Sequence, residues 1–511
     1  MRYSFNLIDN PWLPCLMLDG SHLELGLRET LFKAREILEI RAGSPLETVA
    51  IKRLLLAIIH RNFGPSGYDA WQAIWENGRG FWDAEVLEKY FQKYYQRFDL
   101  FDLEHPFYQT AGFEAKKISP ISRLYHELAS GNNATLFDHS LDTNPVGISP
   151  AKAASVLVAH QAFAIGGGKS DTGYTRNGPL VGGVVALFKG RNLFETLMLN
   201  LVRYSSKMNE PIPADIERDK PAWEWDEGIN PGQARLINGY LDLLTWQSRA
   251  IRLLPEGDLQ NPFVYNLYYA QGEAFNEIVK DPQIPMKIDE KRGELRLRLN
   301  PSRALWRDST AVIHRRTTFF KAVLASDWVA NLIAFGYLER RNYGLRVVGL
   351  ATDPKNNAKI LMWRDEEWNL PSQYLENPDL AERLWLELSL ADKGEKAIWR
   401  ALFTLAMHLL YPEDKLEDNT NAKKKADNAG EFMKRFGAQR EFWIGMEQHF
   451  WKLVAGLVED ADEARKQWVE SIRMQAQAAL GNELSGRGYS SRNLKALVRA
   501  QTVLNYDLSQ L

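Results

Sequence analysis

The sequence predicts an α+β protein: a large mixed α/β amino-terminal domain, residues 1–370, followed by an all-helical carboxy-terminal bundle, residues 371–511. Three observations predict it. The chain has 511 residues, more than one simple core holds, so two or more domains are expected. Before residue 370, stretches with strand alternation are interspersed with stretches of helical spacing. The Pro/Asn-rich segment "LPSQYLENPDL" then marks a boundary, and the pattern after it is helical.

Residues 1–40 read as short extended pieces turning at Asn10-Pro11 and Asp19-Gly20. In "SPLETVAIKRLLLAIIHRNF" (44–63), Ser44 is the N-cap, Pro45 opens the first turn and Glu47 completes a capping box. Helical spacing continues through 66–101, broken at Gly78 and Gly80, and "LEHPFYQTAG" (103–112) is a loop. Residues 119–129 read as helix, and 130–149 as a long polar loop of a length that is functional or mobile. A helix at 149–164 runs into glycines. A strand at 178–190 and a helix at 192–205 follow, and 206–232 is a loop. Residues 245–257 read as strand plus turn and 293–301 as a strand with Arg296 and Arg298 on one face. Residues 310–335 read as helix. Strands at 344–351 and 358–364 around "TDPKNN" give a hairpin. In the last third, Phe442, Met446, Phe450, Leu453 and Leu457 recur at helical spacing. With helices at 460–480 and 491–508 they predict an antiparallel bundle, and 415–430 reads as the loop between two of its helices.

Composition narrows the function. Lys+Arg number 63 and Asp+Glu 65, a net charge of −2, so no global basic field draws the chain onto nucleic acid. Any such contact comes from a local patch or from partner subunits that supply the charge. Sixteen tryptophans favour buried cores and subunit interfaces. The single cysteine, Cys15, builds neither a disulfide framework nor a thiolate zinc site and suits a reducing compartment. The opening "MRYSFNLIDNPWLPCLML" lacks a signal peptide's apolar core, and no apolar run is long enough to span a membrane. A cytoplasmic protein without membrane contact is expected.

The stretch "FAIGGGKSDTGYTRNGPL" (163–180) raises the sharpest question. A Walker loop needs glycine five positions before Gly168, where Phe163 stands, and a preceding strand, where helix is expected. A nucleophile elbow needs glycine at Thr172. His126-Glu127 begins an H-E-x-x-H pattern that fails at Ser130, and Asp138-His139 is an isolated pair. No catalytic constellation and no cofactor site is expected. Two readings of the glycines stay open: a glycine-rich turn, or backbone kept bare for close approach, with N–H groups beside Lys169 and Ser170 meeting a phosphate or base edge. The lysines 423–425 read as a solvated loop, and "DPKNNAKI" (353–360) as a polar hairpin tip.

Five segments in order, "FNLIDNPWLP" (5–14), "EHPFYQT" (104–110), "SGNNATLFDHS" (130–140), "GGGKS" (166–170) and "TWQSRAIRLLP" (245–255), resemble the CasA (Cse1) family, the large subunit of type I-E CRISPR Cascade. The resemblance spans the chain. It implies a family-specific α/β domain with a carboxy-terminal four-helix bundle and no catalysis by this chain. It implies recognition of the protospacer-adjacent motif (PAM) in double-stranded target DNA, nucleation of strand separation and R-loop formation, and recruitment of a helicase-nuclease. On matching positions, Gly166, Gly167 and Gly168 are the PAM-reading loop, with Lys169 and Ser170 steadying phosphates. Asn356 and Asn357 form the wedge, asparagine standing where the family commonly has glutamine, and Lys355 and Lys359 flank it. Phe137 is the aromatic anchor of a loop docking near the guide RNA 5′ handle, with Asn132, Asn133 and His139 as polar contacts. Lys280 and Lys287 are candidates for a PAM-assisting lysine, and the bundle is implied to meet the small subunits and the displaced strand. The alternative is a purely structural scaffold subunit of a ribonucleoprotein complex.

Overall fold

The structure is a computed structural model and describes residues 2–77, 82–126, 146–203, 218–275, 281–289, 291–313, 320–321, 323–353, 356–411, 421–485 and 491–511. The chain divides into two compact units, Met1–Glu376 and Asn377–Leu511. The division falls after Glu376 rather than 370, because the last strand of the first unit runs to Pro371 and a short helix, Gln373–Glu376, follows it.

The first unit mixes helices with several small sheets. The helix Pro45–Phe63 is buried along nearly its whole length, including Glu47, Lys52, Arg53 and His60. Burying the charges of Glu47, Lys52 and Arg53 is tolerable because they are paired, and burial keeps His60 neutral at neutral pH. Lys52 meets Glu39 at 2.9 Å, and the Arg53 guanidinium meets both carboxylate oxygens of Asp281 at 3.0 and 2.5 Å. Ser44 caps the helix by accepting the Glu47 N–H. The Glu47 carboxylate, expected to close a capping box, turns instead to Lys152 Nζ at 2.8 Å and Ser155 Oγ at 2.6 Å on a second buried helix, Pro150–Phe163.

Three sheets frame this unit. One orders Leu13–Met17 between His22–Leu25 and Ile37–Ile40. A second orders Pro262–Gln271 between Ile118–Pro120 and Arg249–Gly257. A third orders Asn342–Asp353 between Asn356–Pro371 and Val184–Lys189. The helix expected at 119–129 is absent as far as residue 126: Ile118–Pro120 pairs with Asn266–Tyr268, and a single 3₁₀ turn, Ile121–Leu124, follows. Pro120 fixes that extended entry. The strand expected at 293–301 is short, Gly293–Arg296, and 310–335 contains two helices, Ser309–Ile313 and Leu324–Ala334.

The second unit is helical. Its long helices are Pro378–Leu410, Ala438–Glu459, Ala461–Ser485 and Ser491–Ser509. Trp468 Nε1 donates to the Glu387 carbonyl and Gly394 lies against Ile472, so the first and third long helices run parallel. Gly445 meets Gln475 and Gly456 meets Ala464, so the second runs against the third. Arg400 pairs with Asp507 and Arg499 donates to His408, so the fourth runs against the first. This is an up-down-up-down arrangement. Leu384, Ile398, Leu405, Phe442, Met446, Phe450, Trp468, Ile472 and Leu504 fill its core. Part of the stretch expected as a loop at 415–430 belongs to a further helix, Ala422–Met433, which buries Ala429 and Met433.

Candidate nucleic-acid interface

The glycine loop is built from the end of a buried helix. Ser149 caps that helix by accepting the Lys152 N–H, Pro150 sits in its first turn, and it ends at Phe163. The chain then crosses Gly166–Gly168 and enters a two-residue antiparallel ribbon, Lys169–Ser170 paired with Gly173–Tyr174. Each glycine N–H has a partner on the returning chain. Gly166 donates to Asn177 Oδ1 at 2.7 Å, Gly167 to the Thr175 carbonyl at 3.0 Å, and Gly168 to Thr175 Oγ1 at 2.9 Å. The expected N–H donors for phosphate are therefore already engaged inside the loop.

The three glycines differ in what they permit. Gly166 is buried, and a Cβ there would lie 2.7 Å from the Thr175 carbonyl oxygen. Gly167 is exposed with φ +119°, a backbone region that favours glycine. Gly168 is exposed, and a Cβ there would meet only Thr175 Oγ1, at an ordinary 3.8 Å.

Lys169 is exposed, whereas Ser170 turns inward. The Ser170 hydroxyl donates to the Gly173 carbonyl at 2.8 Å and accepts the Gln271 N–H at 3.0 Å. Both bonds hold the loop, and they use the hydroxyl's one proton. Gln271 is the hub beneath: its carbonyl accepts Thr172 Oγ1 and its side-chain oxygen accepts the Arg176 N–H. Under that hub lies Arg249, fully buried, whose hydrogen bonds among the described residues go to neutral oxygens. These are Tyr269 Oη at 2.8 Å, the Ser248 carbonyl at 2.8 Å, the Ile165 carbonyl at 2.8 Å and Gln271 Oε1 at 3.5 Å. A buried cation held by neutral groups places positive potential below the loop. Tyr269 Oη also meets His160 Nε2 at 2.9 Å, and His160 Nδ1 meets the Leu124 carbonyl at 3.2 Å. Burial holds His160 well below the usual histidine range and lowers His126, stacked on it, to about 4. Sequence reasoning missed Arg249 and Gln271. Arg249 sits inside "TWQSRAIRLLP", but nothing local signals that it lies under the glycines.

The expected hairpin is present and longer than the pattern suggested, Asn342–Asp353 with Asn356–Pro371. Asp353 pairs with Asn356 and Thr352 with Ile360, so residues 357–359 bulge. Lys359 is exposed. Lys355 lies outside the described residues; so do the side chains of Asn356 and Asn357, whose backbone is strand. The docking-loop residues Asn132, Asn133, Phe137 and His139 also lie outside the described residues. So does Lys280, while Lys287 is exposed on the strand Met286–Asp289. Among the described residues, no group of three or more His, Cys, Asp or Glu is placed to hold a metal ion. No described helix is long and apolar enough to cross a membrane.

Comparison with known proteins gives the class first. A family model described as "CRISPR-associated protein Cse1" matches residues 6–479. A CRISPR-associated protein CasA/Cse1 of Thermus thermophilus is 32% identical over 520 residues, covering 99% of this chain and 98% of its own length. The chain is thus a CRISPR-associated protein, and it belongs to the Cse1 (CasA) family. The solved Thermus thermophilus CasA (Cse1) has the same fold, with a TM-score of 0.82 at 29% identity and 99% of each chain covered. Cse1 of Acidimicrobium ferrooxidans shares the fold at a TM-score of 0.79 and 23% identity, over 99% of this chain and 98% of that one. A chain of a "CRISPR RNA-guided surveillance complex" shares it at 0.77 and 21%, over 98% and 99%.

Proposed function

We propose that this chain is the non-catalytic large subunit of a type I-E CRISPR surveillance complex, and that it reads the PAM of target DNA through Gly167 and Gly168. Membership of the Cse1 family supports the first part, as does the shared fold with a chain of an RNA-guided surveillance complex. One observation carries the second: two consecutive exposed glycines, one at φ +119°, present backbone without a Cβ on a loop tied down from below. The minor groove is narrow and its code degenerate, so a bare backbone fits it and tolerates several PAMs. Because the loop's N–H groups are engaged, recognition rests on fit. It rests also on the Gly167 carbonyl, which accepts from the guanine amino group, the groove's donor. Lys169 reaches a neighbouring phosphate.

The hairpin tip at Lys355, Asn356, Asn357 and Lys359 then enters the opened step. Opening costs on the order of 1–2 kcal/mol and the guide–target heteroduplex returns a similar amount, so a small wedge biases nucleation. The loop bearing Asn132, Asn133, Phe137 and His139 docks near the guide RNA 5′ handle, and the helical unit meets the small subunits and displaced strand. A helicase-nuclease recruited after target binding does the cutting.

The test is a gel-shift titration of the reconstituted complex on guide-matched duplex with intact or scrambled PAM, at fixed salt. Gly168→Asp has space to fold and brings a carboxylate to the groove; the expected loss on intact-PAM DNA is about tenfold or more, about 1.4 kcal/mol. A wild-type complex binding both probes equally would leave a scaffold subunit whose glycines are turns.

A further inference from the structure

Strand alternation decides what the glycine ribbon shows to solvent. Ser170 points inward to Gln271, so its neighbour Lys169 points outward, as does Lys169's cross-strand partner Tyr174. Tyr174 is 74% exposed, an aromatic ring standing on the ribbon with no ring or hydrogen-bond partner among the described residues. Arg176, two residues further on, is also exposed, its own N–H held by Gln271. A second segment approaches the same turn: the Lys116 N–H donates to Asp171 Oδ2 at 2.6 Å, which fixes the exposed pair Lys116-Lys117 beside the ribbon. Among the described residues, no carboxylate engages the side chains of Lys116, Lys117, Lys169 or Arg176. The neighbouring Arg252, by contrast, pairs with Glu114. In a chain of net charge −2, exposed cations clustered around one outward aromatic are a local departure from the whole.

We propose that Tyr174, Arg176, Lys116 and Lys117 form a sequence-independent contact with the sugar-phosphate backbone of the duplex beside the PAM. The ring lies against a sugar or an unstacked base, and the cations sit on successive phosphates. The inference rests on the reading of the glycine loop as PAM reader and divides the work: Gly167 and Gly168 discriminate, and this surface grips. Its chemistry is that of duplex nucleic acid. A basic-aromatic track engages phosphates spaced along a strand and gains little from an isolated acidic side chain.

Grip and discrimination have different signatures, and the reconstituted complex separates them. Two variants are compared with wild type on guide-matched duplexes with intact and scrambled PAM across a salt series: Tyr174→Ala, and the triple Lys116→Gln, Lys117→Gln, Arg176→Gln. All four side chains are exposed and the Lys116 N–H survives the change, so folding is preserved. The triple variant is expected to weaken both probes by the same factor. It should also flatten the dependence of log affinity on log salt by roughly two to three units, about 0.9 for each phosphate no longer neutralised. Tyr174→Ala is expected to cost about tenfold on both probes with the salt slope unchanged. Unchanged affinity and slope in both variants, beside a wild-type complex that still prefers the intact PAM, overturns this inference and leaves the PAM reading standing. A changed ratio between the probes also overturns it, since these residues would then discriminate. A wild-type complex without PAM preference overturns the reading on which it rests.

Discussion

A Cβ on Gly166 would lie 2.7 Å from the Thr175 carbonyl oxygen and 2.9 Å from the Arg176 Cα, both backbone atoms that cannot swing aside. Gly166→Ala is therefore expected to destabilise the protein by about 1–3 kcal/mol, read as a fall in Tm. Gly168→Ala should leave Tm nearly unchanged, because its Cβ makes only an ordinary contact with Thr175 Oγ1. Equal Tm values for the two variants would mean that the returning segment Thr175–Asn177 does not hold the loop. The pair also separates folding from recognition in what looks like one glycine run. That difference was not legible in "GGGKS". The run announces a bare backbone, but the groups that occupy its N–H donors, Thr175 and Asn177, come from the segment that follows the ribbon. Ser170 shows the same limit: a serine beside a lysine suggests phosphate, and only the fold reveals that Gln271 and Gly173 already use its hydroxyl.

The long hairpin outruns its sheet. Val184–Lys189 pairs with Gly344–Gly349, so Leu350–Asp353 and its partners continue as a two-stranded ribbon toward the tip. The base is firmly held: the Glu366 carboxylate accepts the N–H groups of Leu305 at 2.7 Å and Trp306 at 2.9 Å and the Trp368 indole at 3.1 Å. An Asn356→Ala, Asn357→Ala double variant is expected to keep the wild-type stability within about 0.5 kcal/mol. It should slow R-loop formation on a matched target, measured by stopped-flow fluorescence of a base analogue beside the PAM. An unchanged opening rate would remove the wedge from the mechanism. At this scale the sequence was informative wherever a local signal sets the element. Ser44-Pro45 does start a helix, and the two strand patterns at 344–351 and 358–364 do pair as a hairpin. It misled where a distant partner decides. Residues 118–120 become strand because Asn266–Tyr268 pairs with them, and 422–433, with its three consecutive lysines, becomes helix by burying Ala429 and Met433.

Among the described residues, three histidines of the unit Met1–Glu376 are buried, His60, His126 and His160, and burial keeps them neutral at neutral pH. Burial lowers His60 to about 4 and His126 to about 4, and holds His160 well below the usual range, with His126 and Arg249 adding repulsion. All three fall below the unfolded value near 6.5, so between pH 6.5 and 4 the unfolded chain binds more protons than the folded one. Stability fully present above pH 6.5 is thus withdrawn as the pH falls toward 4, by about 3 kcal/mol each for His60 and His126. Against the roughly 5–15 kcal/mol that holds a domain, two such losses decide whether the unit stays folded. The expected outcome is an acid transition with its midpoint inside that window, followed by tryptophan fluorescence. His126→Gln identifies the cause. Glutamine still donates toward the Phe163 carbonyl, which His126 Nε2 meets at 3.0 Å, and it cannot take up a proton in this range. It should shift the midpoint to lower pH. A midpoint that stays in place would show that protonation of His126 does not drive the transition, and would leave His60 and His160 as its source.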